Sequence, residues 1–169
     1  MPRIPRRSAK NIVIDPNKLP PQNIEAEQSV LGSLLIDKDA IIKIADIIYA
    51  EDFYRRAHEE IFQAIVDLYQ KREPIDLLSL SSRLKEKKQL DEIGGLSYLT
   101  SLMNSVPTAS HIVHYAKMVH QKRVLRDLIG ASHEISQLAW EEDRDIDELL
   151  DEAEKKIFSI SQTSLVQEF

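Results

Sequence analysis

Apolar residues recur along this chain at helical spacing and nowhere in sustained two-residue alternation. That pattern predicts an all-α fold. In "IEAEQSVLGSLLID", 24–37, Ile24, Leu31, Leu34 and Leu35 fall on one face, and Asn23 stands where an N-cap belongs. A short helix is expected through "AIIKIADII", 40–48. In "EDFYRRAHEEIFQAIVDLYQKREP", Ala57, Ile61, Phe62, Ile65, Leu68 and Tyr69 define a helix that stops before Pro74. Asp76 caps the next, where Leu77, Leu80 and Leu84 precede "KEKK", cations suited to a helix C-terminus. Gly94–Gly95 breaks the chain, and Leu96, Leu99 and Leu102 open another helix.

From Thr108, a candidate N-cap after Pro107, the pattern predicts one helix over 109–139, 31 residues, or about 46 Å. Its stripe changes register. Ile112, Ala116 and Val119 serve the first half, "HQKR" (120–123) interrupts, and Val124, Leu128, Ala131, Ile135 and Leu138 serve the second. Beyond the acidic connector "EEDRD", Asp145 caps a last helix with Glu148 at the capping-box position. The stripe of that helix, Ile146, Leu150, Ala153, Ile157 and Ile160, has the same spacing. Two matched stripes joined by a short polar link predict an antiparallel αα-hairpin projecting from a compact bundle. The organisation expected is a basic arm over 1–21, a globular helical bundle over 22–106, the long helix and hairpin over 107–162, and a linker beginning in 163–169.

A projecting helix pair buries only one stripe per helix and is marginal in water. Met118, Leu125 and Ile129 lie on a second edge of the long helix, about 120° from the seam at ~100° per residue. Phe158 is comparably displaced on the last helix, and Trp140 sits at the tip. Folding of the hairpin onto its own bundle would cover these side chains; so would another copy of the chain or another protein. The second arrangement is the expectation.

Composition narrows the function classes. The chain has 169 residues, 43% hydrophobic and 30% charged, enough for one domain with a buried core. The net charge of −6 is uneven: residues 1–19 carry +4 and the remainder −10. An acidic globule is a poor nucleic-acid binder, and the arm reads as a solvated basic tail. No cysteine is present, which removes thiol chemistry and fits a reducing, cytoplasmic setting. No apolar run has the length of a membrane span.

Catalytic constellations are absent from the sequence. Glycines 32, 94, 95 and 130 nowhere form G-x-x-x-x-G-K-[ST] or G-x-G-x-x-G. H-E-x-x-H, E-x-x-H and G-x-S-x-G are also lacking. His111 and His114 share a helix face without a third ligand, "HEE" and "DEAEKK" read as solvated helix faces, and Glu152 precedes Lys156 as an ordinary i,i+4 pair. The chain alone is expected to be no enzyme and to hold no cofactor or metal.

Seven segments in this order, "PPQNIEAEQSVLGSLLID", "EDFYRRAHEEIFQAI", "EPIDLLSLSSRL", "IGGLSYLTSL", "VPTASHIVHYAKMV", "VLRDLI" and "LLDEAEKKIFSIS", resemble the N-terminal domain of bacterial replicative DNA helicases of the DnaB type. The resemblance spans about 20–162. Two departures stand out: Arg72–Glu73–Pro74 lacks the glycine such helicases often carry in that turn, and His111 stands where asparagine is frequent. The resemblance implies a hexameric ring in which hairpins of neighbouring subunits pair, so that the domains form a collar of three dimers that recruits primase. It also implies a linker and an ATP- and Mg-dependent motor, absent from this chain, through which DNA is engaged. Leu125, Trp140 and Phe158 are the candidate oligomer contacts. Ile129, Ile135, Tyr98 and Glu25 are the candidate primase contacts. The alternative function is a motorless adaptor or inhibitor that caps a helicase collar.

Overall fold

The computed structural model describes residues 18–165. The first 17 residues of the expected arm and the last four of the expected linker lie outside the described residues. Among the described residues there are seven α-helices and no strand: α1 Ile24–Ile36, α2 Ala40–Ile44, α3 Arg56–Gln70, α4 Leu77–Glu86, α5 Gly95–Asn104, α6 Ile112–Leu138 and α7 Ile146–Leu165, with a 3₁₀ turn at Ala50–Asp52. The all-α bundle followed by an antiparallel αα-hairpin is the observed architecture. The last helix continues to Leu165, three residues past the expected boundary at 162.

Helix α1 is the axis of the bundle, packed by α5, α6, α3 and α2. Its Val30, Leu31 and Leu34 are fully buried, each contributing about 1.5–3 kcal/mol as an upper bound. Asn23 Oδ1 accepts from Ala26 N at 3.0 Å and starts the helix. A glycine lets α5 approach: a Cβ on Gly32 would stand 2.3 Å from the Leu102 carbonyl oxygen. Ile61, Phe62, Ile65 and Leu68 of α3, Leu80 and Leu84 of α4, and Leu99 and Leu102 of α5 complete the core. The expected Leu96 does not take part. One turn before Leu99, it lies half exposed at the start of α5.

Three connections close with the same device. After α3, Glu73 N donates to Leu68 O and Arg72 N to Tyr69 O, with Arg72 at φ 57°. After α4, Gln89 N donates to Leu84 O and Lys88 N to Lys85 O, with Lys88 at φ 58°. Before α5, Gly95 N donates to Leu90 O with Gly94 at φ 109°. These are Schellman closures, in which a left-handed residue satisfies the last carbonyls.

The long helix is 27 residues rather than 31, about 40 Å. Thr108 does not cap it. Its Oγ1 accepts from Ser110 N at 3.2 Å, a local turn that competes with helix and postpones α6 to Ile112. The first half of α6 lays Ile112, Ala116 and Val119 onto the core. Asp145 caps α7 through Asp147 N at 3.2 Å rather than through a box with Glu148.

The hairpin seam is rotated from the expected one. On α6, Ala131 and Leu138 are buried as anticipated. On α7 the half-buried positions are Leu149, Glu152, Ala153, Lys156, Ile160 and Thr163, whereas Ile146, Leu150 and Ile157 remain more than half exposed. Ion pairs accompany this rotation. Lys156 Nζ reaches Glu134 across the hairpin at 3.1 Å and Glu152 binds Arg144 at 2.8 Å, so the expected Glu152–Lys156 pair is replaced by contacts that link separate elements. The "HEE" segment is also corrected: His58 and Glu60 are buried and only Glu59 is exposed.

Candidate assembly face and the polar clamp beneath it

The second half of α6 leaves the bundle at the point where its apolar stripe changes register, and charged side chains take over the packing. His120, Arg123 and Arg126 follow one another at three-residue steps on one side of the helix. All three meet the 3₁₀ turn. Asp52 is fully buried there; its Oδ2 lies 3.1 Å from His120 Nδ1 and its Oδ1 accepts from Arg123 Nη1 at 2.9 Å. Tyr49 N donates to the same carboxylate at 2.9 Å. Arg126 donates from Nη2 to the Asp52 carbonyl and from Nη1 to the Pro21 carbonyl, both at 2.8 Å, and its guanidinium stands 5.4 Å from the centre of the Tyr54 ring. Burial opposes the charge on Arg123, but the bond to Asp52 and the nearby Asp127 and Glu51 hold its pKa above the ordinary value. The "HQKR" interruption is therefore a clamp that aims the hairpin. The residues that build it, Asp52, His120 and Arg126, were not foreseen; the signal was a three-step polar stripe filling the gap in an apolar one.

A second buried network orders the bundle below. Glu27 of α1, 1% exposed, accepts from Tyr54 N at 2.8 Å and lies 2.8 Å from His58 Nδ1. It thus ties α1 to the backbone that leads into α3, where the Arg55 side chain makes no cap. His58 Nε2 meets the Tyr98 hydroxyl at 2.5 Å, and the two rings are stacked with centroids 6.0 Å apart. Since Nδ1 faces a carboxylate, it is assigned the proton, leaving Nε2 to accept from the hydroxyl. Tyr98 is thereby half-buried, with its hydroxyl engaged inside the bundle.

Above the clamp, the hairpin has two unlike faces. One is a charged groove of about 560 Å³ lined by Arg123, Asp127, Glu134, Glu152, Lys156 and Thr163, among others. At about 100° per residue, Leu125, Leu128 and Ile135 of α6 and Ile146, Leu150 and Ile157 of α7 all project to the other side of the seam. Apart from half-buried Ile135, these side chains are exposed, from 44% at Leu125 to 70% at Ile146. Ile129 and Phe158 point outward along the two edges and Trp140 crowns the tip, 78% exposed. Eight of the sixteen large apolar side chains exposed among the described residues belong to the hairpin. Such a contiguous flank marks an interaction surface.

The candidate contacts divide accordingly. Leu125, Ile129, Trp140 and Phe158 are exposed on the hairpin, Ile135 is half-buried beside its seam, and Glu25 is exposed on the first turn of α1. Tyr98 belongs to the bundle network. Among the described residues no group of His, Cys, Asp or Glu could hold a metal ion, and no helix is long and apolar enough to cross a membrane.

Comparison with known proteins locates this architecture. Residues 19–121 match the model of the DnaB-like helicase N terminal domain. The chain is 45% identical over 145 residues to the replicative DNA helicase DnaB of Geobacillus stearothermophilus, covering 86% of this chain and 32% of that protein. It is 42% identical over 146 residues to the replicative DNA helicase DnaC of Bacillus subtilis, with the same two coverages. It thus spans about a third of the length of these curated relatives. Among solved structures, the N-terminal domain of the DnaB helicase from Mycobacterium tuberculosis superposes with a TM-score of 0.79 at 39% identity, covering 83% of this chain and 99% of that one. A DnaB-like replicative helicase, described together with its interactions with primase, superposes with a TM-score of 0.69 at 28% identity, covering 82% of this chain and 31% of that one. With more than half of its length matched by the family model, and a solved member superposing over most of it, the chain belongs to the N-terminal domain family of the DnaB-like replicative helicases.

Proposed function

We propose that this chain is the collar module of a replicative DNA helicase: copies pair through their hairpins, three pairs close a hexameric ring, and the ring recruits the helicase-binding domain of primase. The observation that carries the reading is the uncovered apolar flank of the hairpin, held at a set angle by the clamp on Asp52. Leu125, Trp140 and Phe158 serve contacts between copies. Ile129 and Ile135, with Tyr98 and Glu25 on the bundle, serve primase. The description of a structural neighbour by its interactions with primase supports this choice of partner. ATP with Mg, and the grip on DNA, are assigned to the motor portion of the longer proteins whose first third this chain resembles. The collar itself does no chemistry.

Sedimentation of the chain tests the self-pairing. Wild type should associate in the micromolar range, and Leu125→Asp with Phe158→Asp should weaken this at least about tenfold, the equivalent of 1.4 kcal/mol. A strictly monomeric wild type at high micromolar concentration would refute self-pairing. Calorimetric titration with the C-terminal domain of the cognate primase tests recruitment separately. Absence of heat at several temperatures would refute that part alone.

A further inference from the structure

The bundle carries an apolar groove, on the side of α3 that faces α2 and the 3₁₀ turn, that the hairpin reading leaves unused. It measures about 270 Å³ and is lined by Ile41, Ile48, Tyr49, Phe62, Val66 and Tyr69, among others. Ile41, Ile48 and Phe62 form its floor as part of the core, while Tyr49 and Tyr69, 45% and 42% exposed, stand as its walls. Two aromatic side chains left half in water above a buried apolar floor lose stabilisation that an apolar occupant seated between them would supply. Glu51 and Ala45 also line the groove, and the exposed Asp46 is next in sequence to Ala45.

The chain itself offers an occupant. One guanidinium, that of Arg126, holds both the Pro21 carbonyl and the carbonyl of Asp52, next in sequence to Glu51. Two acceptors on one planar fork are only a few ångströms apart, so Pro21 lies beside the turn that lines the groove. Residues 1–17 precede it, and within them Ile12–Val13–Ile14, preceded by Asn11, is the one run of three consecutive apolar side chains. From Ile14 to Pro21 an extended chain spans at most about 25 Å, a reach on the scale of the bundle itself. Lys10 precedes the run and Asp15 and Lys18 follow it, a net positive flank complementary to Glu51 and Asp46. β-branched Ile-Val-Ile favours the extended form that such a groove accepts. We infer that the groove between α2, the 3₁₀ turn and α3 is the docking site of this chain's own Asn11–Ile14 segment. The basic arm then strengthens the bundle at the same turn that anchors the hairpin.

The absence of cysteine makes the test direct. A nitroxide on Asn11→Cys in the full chain should bleach the amide signals of Ala45, Tyr49, Val66 and Tyr69 by more than half relative to the reduced sample. Ser132 and Phe158, out along the hairpin, should keep theirs. The same label in Ile12→Ser/Ile14→Ser, substitutions outside the bundle core, should leave the groove signals intact. Uniform weak bleaching, none, or bleaching centred on the acidic hairpin tip would overturn the assignment. So would bleaching seen only when a labelled chain is mixed with an isotope-enriched, cysteine-free one, because the groove would then take the arm of a second copy.

Discussion

Arg72 and Lys88 occupy left-handed backbone that disfavours every residue with a Cβ. Arg72 stands in the turn where the family often has glycine, so the departure visible in the sequence has a measurable consequence. Arg72→Gly should leave the Schellman bonds in place and raise stability by up to about 1 kcal/mol, the relief of the Cβ strain less the added freedom of glycine in the unfolded chain. A urea midpoint that falls instead would show that the arginine side chain, not the backbone, matters there. A second residue-scale effect centres on Asp67. Burial pushes its carboxyl up, but hydrogen bonds from Gln63 and Arg83 and the charge of Lys87 outweigh this and hold it below its ordinary value of 3.8. A depressed carboxylate contributes stability that is complete above its unfolded-chain value and is lost as the pH falls through the folded-state value. Arg83→Gln should therefore lower the urea midpoint at neutral pH, and the mutant and parent midpoints should converge as the pH is taken below 3.8. Parallel curves at every pH would exclude the pairing.

At the scale of elements, the helices were legible because their apolar repeats, N-caps at Asn23 and Asp76 and the double glycine all agree. Less legible was what joins one helix to another. Nothing in a helical repeat distinguishes Glu60, buried, from Glu59, exposed, because the difference is made by packing from other elements. The seam of the hairpin lies a fraction of a turn from the one the stripes predict, and the Lys156–Glu134 pair across it, 22 residues apart, cannot be read from either stripe alone. The clamp makes a prediction at this scale. The hairpin joins the bundle through α6, and Arg126 donates to two carbonyls contributed by separate segments. Arg126→Ala removes both bonds and the contact with Tyr54, and should cost about 1–3 kcal/mol. It should also broaden the distance distribution between spin labels on Ser97→Cys in the bundle and Ser132→Cys on the hairpin. An unchanged, narrow distribution would mean that α6 is rigid without the clamp, leaving apolar packing of Ile112, Ala116 and Val119 to set the direction of the hairpin.

At the scale of the whole molecule, two long-range forces compete over association. The flank of the hairpin favours contact between copies because covering Leu128, Leu150 and Ile157 removes apolar surface from water. The chain carries −6 overall, and its hairpin tip contributes Glu141, Glu142, Asp143, Asp145, Asp147 and Glu148 against Arg144 alone. Like-charged tips and bodies repel at separations beyond the contact itself, where salt screens within roughly 8 Å at physiological ionic strength. Burial of apolar surface is not screened. Raising sodium chloride from low to about half-molar should therefore tighten self-association several-fold, and the heat-capacity change on association should be negative. If the interface rested on ion pairs between hairpins, such as exchanged partners of Glu134 and Lys156, the same salt would loosen it instead. Sedimentation at three salt concentrations separates these outcomes by sign, which makes the test independent of how tight the association is.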